Sequence, residues 1–267
     1  MRPNVFEVLL ESLTDTDVLS ADVIPWSSPV PAFGRATTSC VGTVGLNPSN
    51  REFVDEFGHE LKGAHRRFET LTSLGIRRWS SAKRQHIKKI TAACENYFFN
   101  NPYDSWFRKL EFLISYTRAS FYLGTAAHLD LIPFATASKW GRLSTLQKGI
   151  LLRAAGDSLA TTIRDSSIRL LVLNGASVMS QFRSVLQVEF DSRQVPEWTL
   201  QSNAKNPVPG FAHTALVQSL GGIALGKAVK ILGFNHNIQS SYGVTREVVL
   251  SIKTWIGEQS EGILAAA

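Results

Sequence analysis

Four short apolar runs constrain the fold of this chain more than any other feature. They occupy residues 41–46, 127–132, 168–173 and 229–234, and polar residues or Gly and Pro follow each of them. Short apolar runs of this kind suit strands that are buried on both faces of a parallel sheet. The pattern therefore predicts a short central sheet of four parallel strands.

Helical patterns fill much of the remaining chain. Helices are predicted at 64–74, 81–98, 104–116, 145–164, 176–187 and 245–257. Strands that alternate with helices indicate an α/β fold with three layers, α/β/α, in which helices cover both faces of the sheet. The N-terminal segment 1–36, which is rich in Pro near its end, is predicted to be an arm packed on this fold. Residues 1–267 are expected to form a single domain.

Composition narrows the class of protein. Hydrophobic residues make up 44% of the chain and charged residues 19%, which is typical of a globular domain. The apolar runs are far shorter than the roughly 20 residues that span a bilayer. The first residues also lack the pattern of a signal peptide, so we expect a cytoplasmic protein. The two cysteines, Cys40 and Cys94, have no metal-binding spacing and are too few for an iron–sulfur cluster, so no metal or other cofactor is expected.

The net charge of the chain is positive. It amounts to +6, with an isoelectric point near 9.4, and this favours a polyanionic partner such as DNA. Much of the excess lies between residues 77 and 89, where Arg77, Arg78 and Lys83 are candidate DNA contacts. A solvated helix face is the alternative interpretation of this stretch.

Polar side chains cluster where each predicted strand ends. The clusters are 45–50, His128 with Asp130, 174–177 and 234–241. Turns and helix caps explain any one of them taken alone. Because ligands of parallel α/β sheets bind at the carboxyl ends of the strands, four clusters at one edge predict a functional site there. The Gly-rich loop motifs of nucleotide-binding proteins and the serine-hydrolase elbow do not occur.

Two of these clusters resemble catalytic motifs of the uracil-DNA glycosylase superfamily. The run VGLNPS at 44–49 is similar to its first motif, Gly-x-Asp/Asn-Pro, and LGFNHNIQSS at 232–241 resembles its second, His-Pro-Ser-Pro-like motif. Between them, LVLNG at 171–175 resembles the third strand of the family. The run RRF at 66–68 is similar to the Arg-Phe helix of mismatch-specific members. The resemblance implies a monomeric, cofactor-free glycosylase that acts on DNA.

The resemblance also assigns roles to residues. Asn47 would orient a water below the sugar, and His236 would stabilise the departing anionic base. The alternatives are a turn residue before Pro48 for Asn47 and a hydrogen-bonded loop histidine for His236. Asn235 is the alternative occupant of the motif histidine position. Ile238 or Gln239 would wedge into the vacated base stack. Further candidate DNA contacts are Asn50, Ser177, Asn237, Gln239, Ser240 and Ser241.

Two departures from the family pattern bear on the base. Asp130 stands where the family has the Asn that reads uracil. A carboxylate there can accept from a cytosine amine, and a protonated carboxyl with a raised pKa can donate to ring N3; a structural Asp is the alternative. Ser49 replaces the Tyr that excludes a C5 substituent in uracil-specific members, so the C5 side is predicted to be open. Phe53 or Phe68 would stack on the flipped base; a buried aromatic in the core is the alternative for either and the more common role.

These features lead to one functional hypothesis and two alternatives. The hypothesis is hydrolytic excision of a C5-modified cytosine, glucosyl-hydroxymethylcytosine of phage DNA, in anti-phage defence, with polar residues 51–60 near the added sugar. Taken alone, that segment is better explained as a solvated acidic loop. The alternatives are a housekeeping glycosylase for uracil or another deaminated base, and a non-catalytic nucleic-acid-binding protein. A lyase reaction needs a lysine nucleophile. Lys139 is the lysine nearest a strand-end cluster, so a monofunctional enzyme that leaves an abasic site is expected.

Overall fold

The computed structural model describes residues 4–101, 105–201, 206–239 and 243–265. These residues form a mixed α/β fold around one seven-stranded sheet. The strands are β1 (Ala32–Phe33), β2 (Val41–Gly45), β3 (Ala126–Asp130), β4 (Leu170–Asn174), β5 (Asp191–Gln194), β6 (Phe211–Leu220) and β7 (Ile223–Phe234). Their order across the sheet is β1-β3-β2-β4-β7-β6-β5.

The sheet has seven strands, and the predicted central sheet of four parallel strands forms one part of it. The four apolar runs do form the neighbouring strands β3, β2, β4 and β7, which pair in parallel. Three further strands, β1, β5 and β6, extend this part by antiparallel pairing. β1 has two residues and β5 is exposed along its whole length, so neither carries an apolar pattern from which a strand could be predicted.

The hairpin of β6 and β7 does leave a signal in the sequence. Its turn is Gly221-Gly222, and both residues have positive φ angles, 54° and 84°. Paired glycines favour this backbone, because residues with a side chain rarely adopt it, and they are typical of two-residue hairpin turns. The apolar residues that follow the turn therefore belong to β7, which begins at Ile223 instead of near residue 229.

A hydrophobic core lies on each face of the sheet. Leu170 and Val172 of β4 belong to one core, and Leu171 and Leu173 belong to the other. Successive side chains of a strand point to opposite faces, so a strand buried on both sides is apolar throughout. This explains why the central strands are continuous apolar runs in the sequence.

Helices cover both cores. They are α1 (Val5–Ser12), α2 (Thr16–Ser20), α3 (Leu71–Leu74), α4 (Arg84–Glu95), α5 (Tyr97–Asn100), α6 (Ser105–Ile114), α7 (Thr145–Ala155), α8 (Ser158–Arg164), α9 (Ala176–Leu186) and α10 (Arg246–Ala265). The N-terminal segment predicted as an arm contains α1, α2 and the edge strand β1. Within the described ranges, no helix is long and apolar enough to cross a membrane.

Several helix predictions differ from the structure. The predicted helix 245–257 continues to Ala265, and the predicted helix 81–98 is formed by α4 and α5. The predicted helix 145–164 is divided at Gly156, whose φ of 49° ends α7. The predicted helix 64–74 is mostly irregular, and only α3 at its end is α-helical. The backbone before α3 instead makes a bridge between Ser27 and Thr70, and Ser28 N–H donates to the Glu69 carbonyl. The Arg-Phe segment at 66–68 is therefore not a helix.

Candidate active site

A pocket of about 520 Å³ opens at the carboxyl ends of β2 and β3. This is where an α/β sheet is expected to bind a ligand, and the volume lies within the range of small-molecule sites. Its lining combines aromatic rings, polar side chains and charged groups. The lining residues are Phe33, Gly45, Leu46, Asn47, Pro48, Ser49, Asn50, Arg51, Glu52, Arg67, Trp106, Phe107, His128, Asp130 and Lys139.

The floor of the pocket depends on the absence of a side chain at Gly45. This residue pairs with Asp130 across β2 and β3. A Cβ atom at Gly45 would overlap Asp130 Oδ1 and would lie 2.7 Å from His128 Nε2. Because ordinary contacts between such atoms are about 3.5 Å, any other residue would push the two side chains away. Gly45 thus makes the space in which the carboxyl and the imidazole meet.

Asp130 and His128 form a buried polar pair. They are alternate residues of β3 and lie on the same face, with 3% and 2% of their surface exposed. His128 Nε2 lies 3.5 Å from Asp130 Oδ1. Burial raises the pKa of the Asp130 carboxyl, and the hydrogen bond and charge of His128 oppose this shift. The carboxyl therefore holds its proton more strongly than an exposed Asp does.

Thr43 and three aromatic rings hold His128 in place. Thr43 faces His128 across the strand pair, and its Oγ1 lies 2.7 Å from His128 Nδ1. The rings of Phe33, Trp106 and Phe107 approach the imidazole edge-on, with centroids 5.6, 5.1 and 5.3 Å away. These contacts keep water from most of the ring and restrict its rotation, so Nε2 stays directed at Asp130.

The amide of Asn47 is oriented by its own hydrogen bonds. Its Nδ2 lies 3.3 Å from the Pro48 carbonyl, 3.4 Å from the Phe134 carbonyl and 3.0 Å from Thr136 Oγ1. Carbonyl oxygens only accept hydrogen bonds, so the nitrogen must face them. Within the described part of the chain, Asn47 Oδ1 accepts no hydrogen bond, and this oxygen is therefore available to a water or ligand in the pocket.

The residues after Asn47 form a short capped turn. Ser49 Oγ accepts from Arg51 N–H at 3.2 Å and caps the 3₁₀ helix Asn50–Glu52. Asn50 Nδ2 donates to the Ala137 carbonyl at 3.1 Å, which ties this turn to the chain beyond β3. Ser49 is exposed and lines the pocket with a small side chain.

A second polar group lines the pocket at Glu52. This carboxylate is 8% exposed, and it accepts from Tyr97 OH at 3.0 Å and from Arg67 Nη1 at 3.2 Å. Arg67 reaches Glu52 because its segment is extended instead of helical. The sequence predicts Glu52 near a sugar on the base, together with the other polar residues of 51–60. Of that stretch, Arg51 and Glu52 line the pocket. Asp55 and Glu60 instead bond to nearby groups of the chain.

Two further predicted residues, Phe53 and Phe68, belong to the hydrophobic core. Each is 1% exposed, and their rings stack on each other with centroids 5.6 Å apart. Phe68 also stacks on Tyr97 at 5.2 Å. Neither ring lines the pocket. The expectation that one of them stacks on a base therefore does not hold in this structure; the rings that reach the pocket are Phe33, Trp106 and Phe107.

The structure also places His236 outside the pocket lining. The residue is 4% exposed, and its Nε2 lies 2.6 Å from the Trp198 carbonyl. Since a carbonyl only accepts, Nε2 carries the hydrogen and is already used. Burial lowers the pKa of His236, and the Trp198 carbonyl opposes this shift. The neutral ring thus anchors the loop after β7 to the segment around Trp198.

Asn235 has a similar anchoring role. Its Oδ1 accepts from Phe211 N–H at 2.8 Å, and its Nδ2 donates to the Pro209 carbonyl at 2.8 Å. These bonds hold the end of β7 against the start of β6. The alternative assignment of Asn235 to the motif histidine position therefore also places no donor in the pocket.

The loop after β7 reaches the pocket indirectly through Gln239. Asn174 Nδ2 donates to Gln239 Oε1 at 2.7 Å and lies 3.4 Å from Asn237 Oδ1. Gln239 Nε2 lies 3.3 Å from the carbonyl of Trp106, whose ring lines the pocket. Ile238, the other candidate wedge, is 5% exposed. Ser240 and Ser241 lie outside the described residues.

The remaining predicted DNA contacts lie on other parts of the surface. Arg77, Arg78 and Lys83 are exposed and line a separate cleft of about 810 Å³ before α4. Ser177 is exposed in the first turn of α9, which begins directly after β4. The pocket itself has three cationic lining residues, Arg51, Arg67 and Lys139.

Several pocket residues were not given a role from the sequence. His128 was placed in the strand-end cluster with Asp130, and the alternation of strand side chains puts the two on one face. Phe33, Trp106 and Phe107 gave no such signal, since apolar residues in a short edge strand and a helix predict core positions. Only the packing of β1 and α6 against β3 brings these rings to the site.

No protein-family model matches the chain, and no curated protein matches it. Among the described residues, no three His, Cys, Asp or Glu side chains are grouped so that they could hold a metal ion. Function is therefore inferred from the chemistry of the pocket.

Proposed function

We propose that this protein is a monofunctional DNA glycosylase that excises a modified cytosine, with glucosyl-hydroxymethylcytosine of phage DNA as the leading substrate. One observation carries the proposal. A single pocket at the strand ends holds an oriented amide oxygen, at Asn47, together with a buried carboxyl that favours its protonated form, at Asp130. The first suits attack on a sugar, and the second suits recognition of a base.

The role of Asn47 follows from its available oxygen. When the bond between sugar C1′ and base N1 breaks, the sugar becomes an oxocarbenium-like cation that needs only a positioned water. Asn47 Oδ1 accepts a hydrogen of that water and directs its oxygen at C1′. The three contacts of Nδ2 keep the amide from rotating, so the water position is set before the substrate binds.

Asp130 favours a cytosine-type base over uracil. A protonated carboxyl presents one donor and one acceptor, and cytosine presents the complementary N3 acceptor and N4 amine donor on one edge. Uracil presents an N3–H donor and an O4 acceptor instead. Burial favours the protonated form of Asp130 and so supports the pairing with cytosine.

The pocket also accommodates a polar substituent at C5 of the base. Ser49 leaves the entrance open, because it is a small exposed side chain at the place where a larger one would close the pocket. The carboxylate of Glu52, held by Tyr97 and Arg67, offers a fixed acceptor for sugar hydroxyls. Excision restricted to such a base would spare ordinary DNA, and a role in anti-phage defence follows.

Positive charge around the pocket suits the DNA backbone. Arg51 and Lys139 are exposed at the lining, and Arg77, Arg78 and Lys83 are exposed at the separate cleft before α4. A base can enter the pocket only after it leaves the helix, so binding includes base flipping. The cations stabilise the flipped state by neutralising phosphates.

The test is base release from matched DNAs that differ at one base. The DNAs carry uracil, cytosine, hydroxymethylcytosine or glucosyl-hydroxymethylcytosine, in single- and double-stranded form, and free base is detected by mass spectrometry. We expect release from the glucosylated DNA and an intact abasic strand. Release from uracil DNA alone would contradict the proposed substrate and favour the housekeeping alternative. Strand cleavage that is lost in Lys139→Ala would contradict a monofunctional reaction.

Asn47→Ala separates catalysis from binding. We expect base release to fall about 10²-fold or more, while DNA affinity stays within about twofold. The matched control is Asn96→Ala, because Asn96 also donates from Nδ2 to a backbone carbonyl, at 2.9 Å, but lies outside the pocket. If neither the wild-type protein nor the control releases base from any of the DNAs, although they bind DNA, the non-catalytic alternative is correct.

A further inference from the structure

A buried histidine with no role in the resemblance lies at the floor of the pocket. His128 is held by Thr43 on one side and faces Asp130 on the other, and three aromatic rings surround it. A neutral imidazole has one donor and one acceptor nitrogen, and Thr43 and Asp130 lie beside one nitrogen each. Unlike a histidine enclosed in the core, His128 also lines the pocket next to a carboxyl.

The partners of His128 suit one tautomer of its ring. The Thr43 hydroxyl lies 2.7 Å from His128 Nδ1 and can donate its hydrogen to that nitrogen. With Nδ1 as acceptor, the neutral ring carries its hydrogen on Nε2. In that tautomer the hydrogen is on the nitrogen that lies 3.5 Å from Asp130 Oδ1. Asp130 also lines the pocket, and Oδ2 is then the oxygen that can carry the carboxyl proton.

We propose that His128 is a positioning residue, which holds Oδ1 of Asp130 so that Oδ2 presents a proton to ring N3 of the departing base. The inference rests on the proposed glycosylase function. It also gives the leaving-group step to a residue pair that lines the pocket, whereas His236 is engaged with the Trp198 carbonyl.

In the proposed reaction, each bond that breaks and each proton that moves is accounted for. The C1′–N1 bond breaks, and its electron pair moves into the ring of the base. The proton of Asp130 passes to N3, so the base leaves neutral and the carboxylate remains beside the Nε2–H of His128. The water held by Asn47 adds to C1′ and loses a proton to solvent. Asp130 then regains a proton from solvent.

In the described part of the chain, few ionisable groups lie around Asp130 and His128 to influence the pH dependence of the Asp130 carboxyl. The elements packed against it, β1, β2 and α6, present Phe33, Thr43, Gly45, Trp106 and Phe107 to the pair, none of which titrates near neutral pH. Charged groups elsewhere on the lining are Arg51, Glu52, Arg67 and Lys139. Glu52 and Arg67 form an ion pair at 3.2 Å, so their charges partly cancel.

The test compares the pH dependence of single-turnover base release in the wild type, His128→Asn and His128→Gln. Asn still reaches Thr43 but not Asp130, so we expect a rate loss of about 10²-fold. The longer Gln side chain places an amide N–H near the position that Nε2 of His128 occupies in the wild type, so His128→Gln should recover part of the lost rate. Because the reaction needs the protonated carboxyl, the rate falls as pH rises through the pKa of Asp130. His128 lowers that pKa, so its removal moves the falling limb to higher pH.

The matched control is His213→Gln. His213 makes the same type of contact as His128, with Ser192 Oγ 2.7 Å from its Nδ1, but it lies outside the pocket lining. We expect this variant to keep the wild-type rate and pH profile. A His128→Asn variant that loses rate equally at every pH, with the limb unmoved, has a structural defect only and overturns the inference.

A second measurement does not depend on activity. The ¹³C shift of the Asp130 carboxyl, followed against pH in the free protein, gives its pKa directly. We expect a higher pKa in His128→Asn than in the wild type or His213→Gln, and an unchanged pKa overturns the inference. If the wild type releases no base while the pKa moves, the proposed function fails and the pairing of the two side chains stands.

Discussion

Substitution of Gly45 by Ala tests whether the floor of the pocket is built as described. The φ angle of Gly45 is not positive, so Ala adds no backbone strain and acts only through its methyl group. That group would overlap Asp130 Oδ1 and lie 2.7 Å from His128 Nε2, where about 3.5 Å is normal. Thr43 and three aromatic rings enclose His128, so this side chain cannot move away. The Asp130 carboxyl must therefore shift by roughly 1 Å, or the two strands must separate.

Both responses have predictable sizes. Overpacking of this kind costs about 1–3 kcal/mol of unfolding free energy. With a urea m-value of about 3 kcal/mol/M, the midpoint of unfolding falls by about 0.3–1 M. A displacement of about 1 Å at a reacting group lowers the rate about 10²-fold. Base release should therefore fall far more than stability does.

The assays are urea unfolding and single-turnover base release on the same preparations. The control is Gly262→Ala, since no atom lies within 4 Å of a Cβ at this exposed position in α10. The unfolding free energy of this control should rise by about 0.5–1 kcal/mol, because Ala is more stable than Gly inside a helix. The reasoning is refuted if Gly45→Ala unfolds at the wild-type urea midpoint and releases base at the wild-type rate.

Three further predictions concern titration and charge. The Asp130→Asn variant should become more stable relative to the wild type as pH rises above 3.8, the ordinary pKa of Asp. The wild type loses stability over this range, because burial raises the pKa of the folded carboxyl and opposes its ionisation. The midpoints of urea unfolding at pH 4 and pH 8 test this. The His236→Gln variant should lose about 1 kcal/mol of unfolding free energy near pH 7.5 and less toward pH 5. Burial lowers the pKa of His236, so the wild type is stabilised fully only while the histidine of the unfolded chain is also neutral. Replacement of Arg77, Arg78 and Lys83 by Ala should reduce the slope of log affinity for DNA against log salt by about 0.9 for each phosphate that these side chains neutralise, measured by fluorescence anisotropy.

The central strands could be predicted because burial on both faces leaves a mark in the sequence. Each of β2, β3, β4 and β7 is an apolar run, and the residues at their carboxyl ends follow from that assignment. Asn47, Ser49, Asn50 and Asp130 were accordingly expected at one edge, and they line one pocket. The order of strands and helices along the chain was therefore enough to predict where these four residues lie.

The rest of the site depends on directions that a sequence pattern does not give. His236 follows β7 as expected, but its ring turns toward Trp198, nearly 40 residues away in the chain. Phe53 and Phe68 lie close to pocket residues in sequence, yet their rings stack into the core. The extended segment before α3 resulted from bridges to residues near 27, and no local propensity indicates such pairing.

The pair of Asp130 and His128 is difficult to explain by stability. A buried carboxyl and imidazole in a strand whose other residues are apolar must lose their hydration, and apolar residues of similar volume often serve folding as well or better. The sheet nevertheless supplies Gly45 to make room for them and Thr43 to orient the ring. A buried carboxyl and an imidazole at alternate positions of β3, beside a pocket, therefore support the proposed function.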